Sequence, residues 1–481
     1  MSAFRNLLHL LVGDFVAKAA YFLAFVYLAQ KLGISGYGVL ELALAVRTYL
    51  VLLADAGLEL WAIREAAKGL DVRVLAARVI PARLALAVVA LSASGLLSLA
   101  PGNPQFRQIL PLLTLTVLFQ AFNLKWVFMG QERLARVAAG LIASQLAFAA
   151  VVFLLVRRPE DLMLVPAAFL ASEFLIAAYF WRLFVKAHGA LKLVPDWSGI
   201  HSIMPPVLTL GAAQCLSLMS YNIDSILIGV MLGPGPVGLY AAAYKPITAI
   251  LAVPVTYFQG LFPSFARTFQ EDRALFRSMV LRSVRLTTIF AIPIGVGGTL
   301  LAAPVIELLF GPKYAAAAPV LRLLSWSAVL VTLRGNFRHT LNAAGKQQLD
   351  LKCAGMAAVL NVAFNVALIP RYGIVGAAWA TVLSEACWFL FARYLFTRHV
   401  MALPILTAIW RPLLAGAGMA SVLMLDVLAP WPVRAAAGGS VYALMLVILR
   451  DPEVQLAFGR IGATEPATQP GASHSLNSNS G

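Results

Sequence analysis

Long runs of apolar residues recur along the whole chain, and short polar stretches separate them. One helix that crosses about 30 Å of hydrocarbon needs about 20 residues at 1.5 Å each. About 14 runs meet this requirement, and the runs lack the alternation of transmembrane β-strands. The pattern therefore predicts an all-α polytopic membrane protein, with mostly short connections between antiparallel neighbours. The predicted spans are 7–29, 39–62, 79–100, 109–129, 137–156, 162–184, 203–230, 238–262, 285–309, 319–343, 353–370, 374–396, 411–429 and 433–449.

Composition agrees with this pattern and excludes several classes of function. The 481 residues are 61% hydrophobic and 12% charged, whereas soluble domains carry about 25% charged residues. The three cysteines, Cys215, Cys353 and Cys387, lie far apart in apolar runs, so we expect small hydrophobes and no disulfide. The chain contains neither a G-x-x-x-x-G-K-[ST] loop nor an H-E-x-x-H motif. We therefore expect no catalytic residues, no metal site, no cofactor and no enzymatic activity.

The basic charge is distributed by side of the membrane. The net charge is +16, and if the N-terminus is cytoplasmic, 23 Lys and Arg residues fall on the cytoplasmic side against 7 on the other. This asymmetry satisfies the positive-inside rule and explains the basic charge without a nucleic-acid partner. We predict that both termini are cytoplasmic.

The chain also repeats itself. Leu32-Gly33 followed by Gly38 recurs as Leu232-Gly233 followed by Gly238, and Ser172-Glu173 recurs as Ser384-Glu385. Offsets of about 200 residues and an even number of intervening spans predict two like-oriented, pseudo-symmetric six-helix bundles around a central cavity. The predicted units are an N-terminal bundle over 1–196, a C-terminal bundle over 197–400, two additional helices over 401–461 and a disordered cytoplasmic tail over 462–481. The arginine-rich stretch 264–285 has the composition of an interfacial helix.

Charged residues inside the predicted spans are candidate functional residues, because a charge in hydrocarbon is costly. The cations that we select as candidate substrate-binding residues are Lys18, Arg47, Lys245 and Arg334. Arg47 and Lys245 lie on repeat-equivalent spans, so the two side chains are predicted to face each other across the cavity. An open alternative for Lys18 is a pair with Asp14, four residues earlier on the same helix.

The acids within the spans have two interpretations. Candidate ion-coupling sites or counter-ions for the basic residues are Asp14, Asp224, Glu173 and Glu385. For Asp224, Glu173 and Glu385, packing that the repeat preserves by symmetry is the alternative. Asn361 and Asn365, one turn apart, favour hydrogen bonds between helices over a ligand site.

Two segments resemble the signature of a known family. The segment 361–381, with Asn361, Asn365 and Pro370-Arg371-Tyr372-Gly373, is similar to polysaccharide-biosynthesis flippases, and so is the opening with Tyr37-Gly38 and Ala54-Asp55-Ala56-Gly57-Leu58. These flippases belong to the multidrug/oligosaccharidyl-lipid/polysaccharide exporter superfamily. The resemblance covers about residues 5–450. It implies alternating access and transfer of undecaprenyl-diphosphate-linked oligosaccharide from the cytoplasmic to the periplasmic leaflet of the bacterial inner membrane. Implied partners are this lipid-linked oligosaccharide, membrane lipids, and polysaccharide polymerase and chain-length proteins.

Other functions stay open from the sequence alone. A peptidoglycan lipid-precursor flippase is the alternative within the superfamily, followed by a drug or cation antiporter. The intramembrane cations favour an anionic cargo over a cationic drug. A non-transporting scaffold of a polysaccharide assembly complex is the alternative from another class.

Overall fold

The computed structural model describes residues 2–100, 102–191, 197–425 and 430–455, with the side chains of 2–15, 197–198, 206 and 212–221 outside the description. The predicted tail over 462–481 and the side chain of Asp14 therefore lie outside the described residues. All regular elements in the described ranges are helical, which confirms the predicted all-α membrane fold. The α-helices are α1 (Ser2–Asp55), α2 (Leu58–Ala67), α3 (Val72–Leu99), α4 (Pro104–Thr114), α5 (Thr116–Ala121), α6 (Lys125–Gly130), α7 (Leu134–Leu155), α8 (Val165–His188), α9 (Trp197–Leu232), α10 (Pro234–Glu271), α11 (Arg273–Leu300), α12 (Ala302–Phe310), α13 (Ala318–Ala343), α14 (Gln347–His399), α15 (Ile405–Met424) and α16 (Trp431–Ile448).

Helix α14 contains two of the predicted spans, 353–370 and 374–396, and α1 contains the span 7–29 and most of 39–62, which continues into α2. Helix α14 has 53 residues, which at 1.5 Å per residue is about 80 Å, far more than one bilayer crossing. It is interrupted at Gly373, where φ is 57°, and α1 is interrupted at Gly33, where φ is 71°. Glycine is suited to both positions because side chains disfavour positive φ. Ten helices in the described ranges are long and apolar enough to cross a membrane. The interruptions at Gly33 and Gly373 divide α1 and α14 into two candidate membrane spans each, which adds two to this number. Helix α9 and the α4–α6 segment add two more, so the total is about fourteen.

The repeat predicted from sequence is visible in the backbone. Gly33 has φ 71° and ψ 175°, and Gly233, its repeat equivalent, has φ 88° and ψ 179°. Gly38 and Gly238 then lie against each other, because a Cβ on Gly38 would collide with the backbone of Pro234 and Gly238. The two repeated turns thus meet at one end of the molecule, which we call the outer end.

The predicted span 109–129 is not one helix but the succession α4, α5 and α6. At the first break, the Leu113 carbonyl accepts hydrogen bonds from the Thr116 hydroxyl and from Arg47 Nε, at 2.7 and 3.2 Å. At the second break, Arg83 Nη1 donates to the carbonyls of Gln120 and Asn123. Backbone groups freed inside a membrane helix need such partners, so two arginines compensate for the two breaks.

The arginine-rich stretch 264–285 does not form a separate interfacial helix. Helix α10 continues to Glu271 and α11 begins at Arg273, with the Asp272 carboxylate accepting from the amides of Ala274 and Leu275 at 2.9 Å. Phe265 and Phe276 are buried in a cluster with residues of α13 and α14, whereas Leu275 is 48% exposed. The composition indicated an interfacial helix because the adjoining ends of two long helices carry the same mixture of arginine and apolar residues.

The two C-terminal helices pack on the C-terminal half. Helix α15 lies against α11 and α16 against α15, and the Tyr442 hydroxyl donates to the Ile289 carbonyl at 2.9 Å. After α16, the carboxylate of Glu453 lies 2.8 Å from Arg282 Nε and 3.6 Å from Arg285 Nη1. These contacts attach the end of the described chain to α11.

Candidate functional site

A cavity of about 1040 Å³ lies between α1, α7 and α8 of the N-terminal half and α10 of the C-terminal half. It is therefore located between the two predicted bundles, where the sequence repeat placed it. The residues that line it are Lys18, Ala19, Tyr21, Phe22, Phe25, Arg47, Ser144, Gln145, Phe148, Phe169, Ser172, Glu173, Lys245, Thr248, Ala249, Ala252, Val253, Thr256, Tyr257 and Gly260.

Three of the four cations selected from sequence line this cavity: Lys18, Arg47 and Lys245. Among the lining residues that the structure describes, Glu173 is the single carboxylate and stands against three cations. The Lys18 side chain is exposed. The structure thus brings together on one cavity side chains that are more than 200 residues apart in sequence.

Lys245 has a carboxylate partner that the sequence analysis missed. Its Nζ lies 2.7 Å from Glu41 Oε1 and 3.6 Å from the ring centroid of Phe25. Both neighbours lie on α1. Glu41 was detectable in principle, because it is an acid within the predicted span 39–62 and an intramembrane acid is a functional candidate by default.

Arg47 is held by three kinds of neighbour. Its Nη2 donates to the Thr116 hydroxyl at 2.7 Å, and lies 3.6 Å from Glu173 Oε1. Its guanidinium carbon lies 5.4 Å from the centroid of the Phe169 ring. Glu173 in turn accepts from Gln120 Nε2 at 2.9 Å. Arg47 therefore both braces the break after α4 and presents positive charge to the cavity.

Aromatic rings form one wall between these two cations. The centroids of Phe25 and Phe148 are 5.6 Å apart, and those of Phe148 and Phe169 are 4.6 Å apart. Tyr21 joins the group, 4.9 Å from Phe148. Such rings offer broad apolar faces beside the charged side chains, so the cavity can accept a ligand that is both anionic and bulky.

A smaller cavity of about 290 Å³ adjoins the first and shares Ser144 and Glu173 with it. Arg83, nearly buried, lies 2.6 Å from Asp55 Oδ1 and 3.5 Å from Glu59 Oε2. Lys125 Nζ lies 2.8 Å from Glu59 Oε1. These charges balance one another locally, as expected for a network that fixes the helix breaks.

The fourth selected cation, Arg334, lies outside both cavities. Its side chain is 2% exposed, its Nε donates to Glu385 Oε2 at 2.8 Å, and its guanidinium carbon lies 3.6 Å from the Trp388 ring centroid. Arg334 and Glu385 thus form a buried pair within the C-terminal half.

Asp224 is the centre of a buried polar cluster. Its carboxylate accepts from Thr381 Oγ1 at 2.7 Å, from Tyr240 OH at 2.8 Å and from Asn365 Nδ2 at 2.7 Å. Asn365 also donates to Asn361 Oδ1 at 3.2 Å, and its own Oδ1 is buried without a hydrogen-bond partner in the structure. These hydrogen bonds hold carboxylate, amide and hydroxyl groups of three helices together, and oxygen atoms of this kind are the ligands that hard cations prefer. Asn365 thus connects α14 to α9, as predicted, whereas Asn361 bonds to Ser384 within α14 at 3.3 Å.

Comparison with known proteins gives the chain its family. The family model described as "Polysaccharide biosynthesis protein" matches residues 3–269, more than half of the chain. "Probable flippase AglR" of Haloferax volcanii is 28% identical over 213 residues, which are 43% of this chain and 44% of that protein. The match thus spans less than half the length of that relative. "Putative O-antigen transporter" of Escherichia coli is 23% identical over 83% of this chain and 97% of its own.

The fold has a solved counterpart as well. The structure titled "Lipid II flippase MurJ, inward closed conformation" superposes with a TM-score of 0.75 at 13% identity, covering 92% of this chain and 99% of that one. At this identity the likeness shows the fold alone. The family match leads to one conclusion: the chain belongs to the polysaccharide biosynthesis protein family.

Proposed function

We propose that the protein is a flippase that moves an undecaprenyl-diphosphate-linked oligosaccharide from the cytoplasmic to the periplasmic leaflet. The observation that carries this proposal is the set of three cations, Lys18, Arg47 and Lys245, on one cavity between the two halves. A diphosphate and its sugars lose their hydration in hydrocarbon, so they need a polar path through the bilayer. The names of the family relatives support a polysaccharide precursor as the cargo.

The cavity matches the parts of such a cargo. Arg47 offers a planar, bidentate donor to phosphate oxygens and the two lysines offer compact charges. The aromatic wall of Tyr21, Phe25 and Phe148 gives apolar faces on which sugar rings pack. The lipid tail remains in the bilayer beside the helices. A cationic drug would be repelled by the same wall, which argues against a drug antiporter.

The distribution of charge supports an orientation for the transport cycle. The bias of 23 cytoplasmic Lys and Arg residues to 7 supports cytoplasmic termini in a bacterial inner membrane. The outer end, where Gly38 meets Gly238, would then face the periplasm. Alternating access would load cargo from the cytoplasmic leaflet and release it at that end.

We also propose that the Asp224 cluster binds the coupling cation. Its oxygens come from α9, α10 and α14, so a bound cation would link helices that alternating access must move. Glu173, between Arg47 and Gln120, serves instead as a counter-ion of the cavity. Asp224→Asn should remove the dependence of transport on the driving cation, while Glu173→Gln should retain it.

The proposal is tested by the identity and leaflet of the lipid that accumulates when the protein is depleted. Inner-membrane lipids are extracted and undecaprenyl-linked glycans are identified by mass spectrometry. A complete repeat unit that is protected in spheroplasts from added glycan-binding probes is the expected result, and it names the substrate.

Other outcomes assign the alternatives. Accumulation of undecaprenyl-linked muropeptide would identify a peptidoglycan-precursor flippase. A repeat unit that is accessible from the periplasmic side would show that flipping is intact. The protein would then act downstream, as a scaffold beside the polymerase and chain-length proteins.

A further inference from the structure

One ion pair crosses the boundary between the two halves at the wall of the cavity. Lys245 on α10 and Glu41 on α1 are 204 residues apart, and their charged atoms are 2.7 Å apart. Both side chains are largely buried, with 20% and 13% of their surface exposed. Lys245 lines the cavity, whereas Glu41 is not among the lining residues and lies behind it. A ligand in the cavity can therefore reach the ammonium group while Glu41 holds it from the other side.

The pair lies directly inside the contact that closes the outer end. Glu41 is three residues after Gly38 and Lys245 is seven residues after Gly238, so they are about one and two helical turns further inward. At Gly38 and Gly238 the backbones of α1 and α10 lie so close together that a Cβ on either glycine would collide with the backbone of the other helix. An ion pair next to this contact stabilises the closed arrangement of the two halves.

Other bonds at the outer end also join the halves. The Tyr314 hydroxyl donates to the Ala29 carbonyl at 2.7 Å, Lys313 Nζ donates to the Gln30 carbonyl at 3.1 Å, and Gln30 Nε2 donates to the Leu309 carbonyl at 2.6 Å. None of these donors is among the residues that line the cavity. Among these contacts, the Lys245–Glu41 pair is the one that a ligand in the cavity can alter.

We propose that Glu41 is a positioning residue that acts as a charge lock. Its ion pair with Lys245 keeps the outer end closed in the empty protein, and a phosphate of the cargo opens the outer end by binding Lys245 in place of Glu41. The inference rests on the proposed function for the identity of the anion. When the phosphate binds Lys245, Glu41 is left as a buried carboxylate without its cation, which is strongly unfavourable. Opening the outer end admits water to Glu41 and relieves this cost. Binding of an anion is thereby coupled to outward opening, and an uncharged ligand does not open the lock.

The test measures access to the cavity from the outer side. Thr248 lines the cavity one turn beyond Lys245 and is exposed there. Thr248→Cys is introduced into a chain whose three cysteines are replaced by serine, and the full-length protein is placed in right-side-out vesicles. A membrane-impermeant maleimide then reports opening. In the parent protein we expect slow labelling that farnesyl diphosphate, a soluble prenyl diphosphate, accelerates.

Glu41→Gln removes the carboxylate and keeps the size of the side chain. We expect labelling from the outer side to be about tenfold faster without farnesyl diphosphate, in the range of ordinary coupling free energies, and to be insensitive to it. The matched control is Glu59→Gln, which breaks an ion pair with Lys125 inside the N-terminal half, at 2.8 Å against 2.7 Å for the Lys245–Glu41 pair. That variant should label at the parental rate.

A charge exchange separates the lock from a general loss of packing. Glu41→Lys combined with Lys245→Glu restores an ion pair but presents a carboxylate to the cavity, so labelling should be slow and farnesyl diphosphate should not accelerate it. Equal labelling of Glu41→Gln and the parent would overturn the lock. Equal acceleration of both by farnesyl diphosphate would also overturn it, and would leave the proposed cargo supported. If Glu41→Gln were labelled faster than the parent protein, and farnesyl diphosphate did not change the labelling rate of the parent, the result would support the lock and contradict the proposed cargo.

Discussion

The repeated dipeptide Ser-Glu lies in two different environments in the two halves of the molecule. In the N-terminal half, Glu173 borders both cavities, 3.6 Å from Arg47, with 23% of its side chain exposed. In the C-terminal half, Glu385 is buried against Arg334 at 2.8 Å and is absent from the cavity lining. The same two residues at equivalent positions of the repeat thus lie in a solvent-accessible environment in the N-terminal half and in a buried environment in the C-terminal half.

The repeat thus preserves backbone position, whereas the surroundings and the contacts of the repeated side chains differ between its two copies. Among the described residues, the cavity is lined mainly by α1, α7 and α8 of the N-terminal half, and α10 is the one helix of the C-terminal half that contributes. The other intramembrane charges of the C-terminal half that we selected, Arg334, Glu385 and Asp224, are each bonded to neighbours within the protein. Apart from Lys245, the selected charges that line the cavity therefore belong to the N-terminal half, whereas those of the C-terminal half bond to neighbouring residues within the protein.

The largest effect on protein stability is expected from breaking the buried Arg334–Glu385 ion pair. Arg334→Ala leaves Glu385 buried without a cation, which should destabilise the protein by about 3–5 kcal/mol. The measurement is the midpoint of thermal aggregation in detergent, followed by size-exclusion fluorescence. Arg47→Ala should lower the midpoint less, because Glu173 retains Gln120 as a partner and has access to water.

A double variant gives the control for this prediction. Arg334→Met with Glu385→Leu removes both charges and keeps similar volume, so most of the stability should return. If Arg334→Ala and Arg47→Ala lowered the midpoint equally, the contrast between the two halves would be contradicted.

The next largest effect is expected on transport. Lys245→Ala should lower export by about tenfold or more, as expected for removal of a charge that pairs with a ligand phosphate. Lys245→Glu should be worse, because it repels the phosphate. The readout is surface polysaccharide in a complemented deletion strain, with membrane protein quantified in parallel. Lys125→Ala, which removes a cation outside the main cavity, is the matched control. Normal export by Lys245→Ala would contradict the role of this cation.

The sequence predicted the helices and the position of the cavity well, because apolar length and a repeat are strong signals. Lys18, Arg47 and Lys245 were found since a cation inside an apolar run is conspicuous. The sequence could not separate Arg334 from them, because burial against Glu385 depends on the rotation of α13 and α14 about their axes. The breaks in the span 109–129 were also hidden, since the arginines that compensate for them come from α1 and α3. Such contacts join segments that are distant in sequence and depend on tertiary packing, so the local pattern of apolar and polar residues does not predict them.

A smaller effect is expected on affinity. Glu173→Gln keeps the hydrogen-bonding geometry toward Gln120 but removes the one carboxylate among the described lining residues, so the charge of the cavity wall becomes more positive by one. Binding of farnesyl diphosphate to the purified protein should become about fivefold tighter, consistent with screened charges at an intermediate dielectric. Isothermal titration measures the affinity. Glu385→Gln, once folded protein is selected, should bind as the parent does, and a gain of the same size there would contradict the assignment of Glu173.

The smallest effect tests the serines that precede the two glutamates. Ser384 Oγ donates to the Thr381 carbonyl at 3.0 Å and accepts from Asn361 at 3.3 Å, and the residue is buried. Ser172 Oγ lies 3.1 Å from Ser144 Oγ at the cavity, where water can replace either partner. Ser384→Ala should therefore cost about 0.6 kcal/mol, the average for a hydrogen bond between membrane helices, and Ser172→Ala should cost less. Thermal midpoints of the two variants, measured side by side, give the comparison. Each variant removes the same hydroxyl from equivalent positions of the repeat. A larger decrease of the thermal midpoint for Ser172→Ala would therefore mean that water has no better access to this serine than to Ser384 in the C-terminal half.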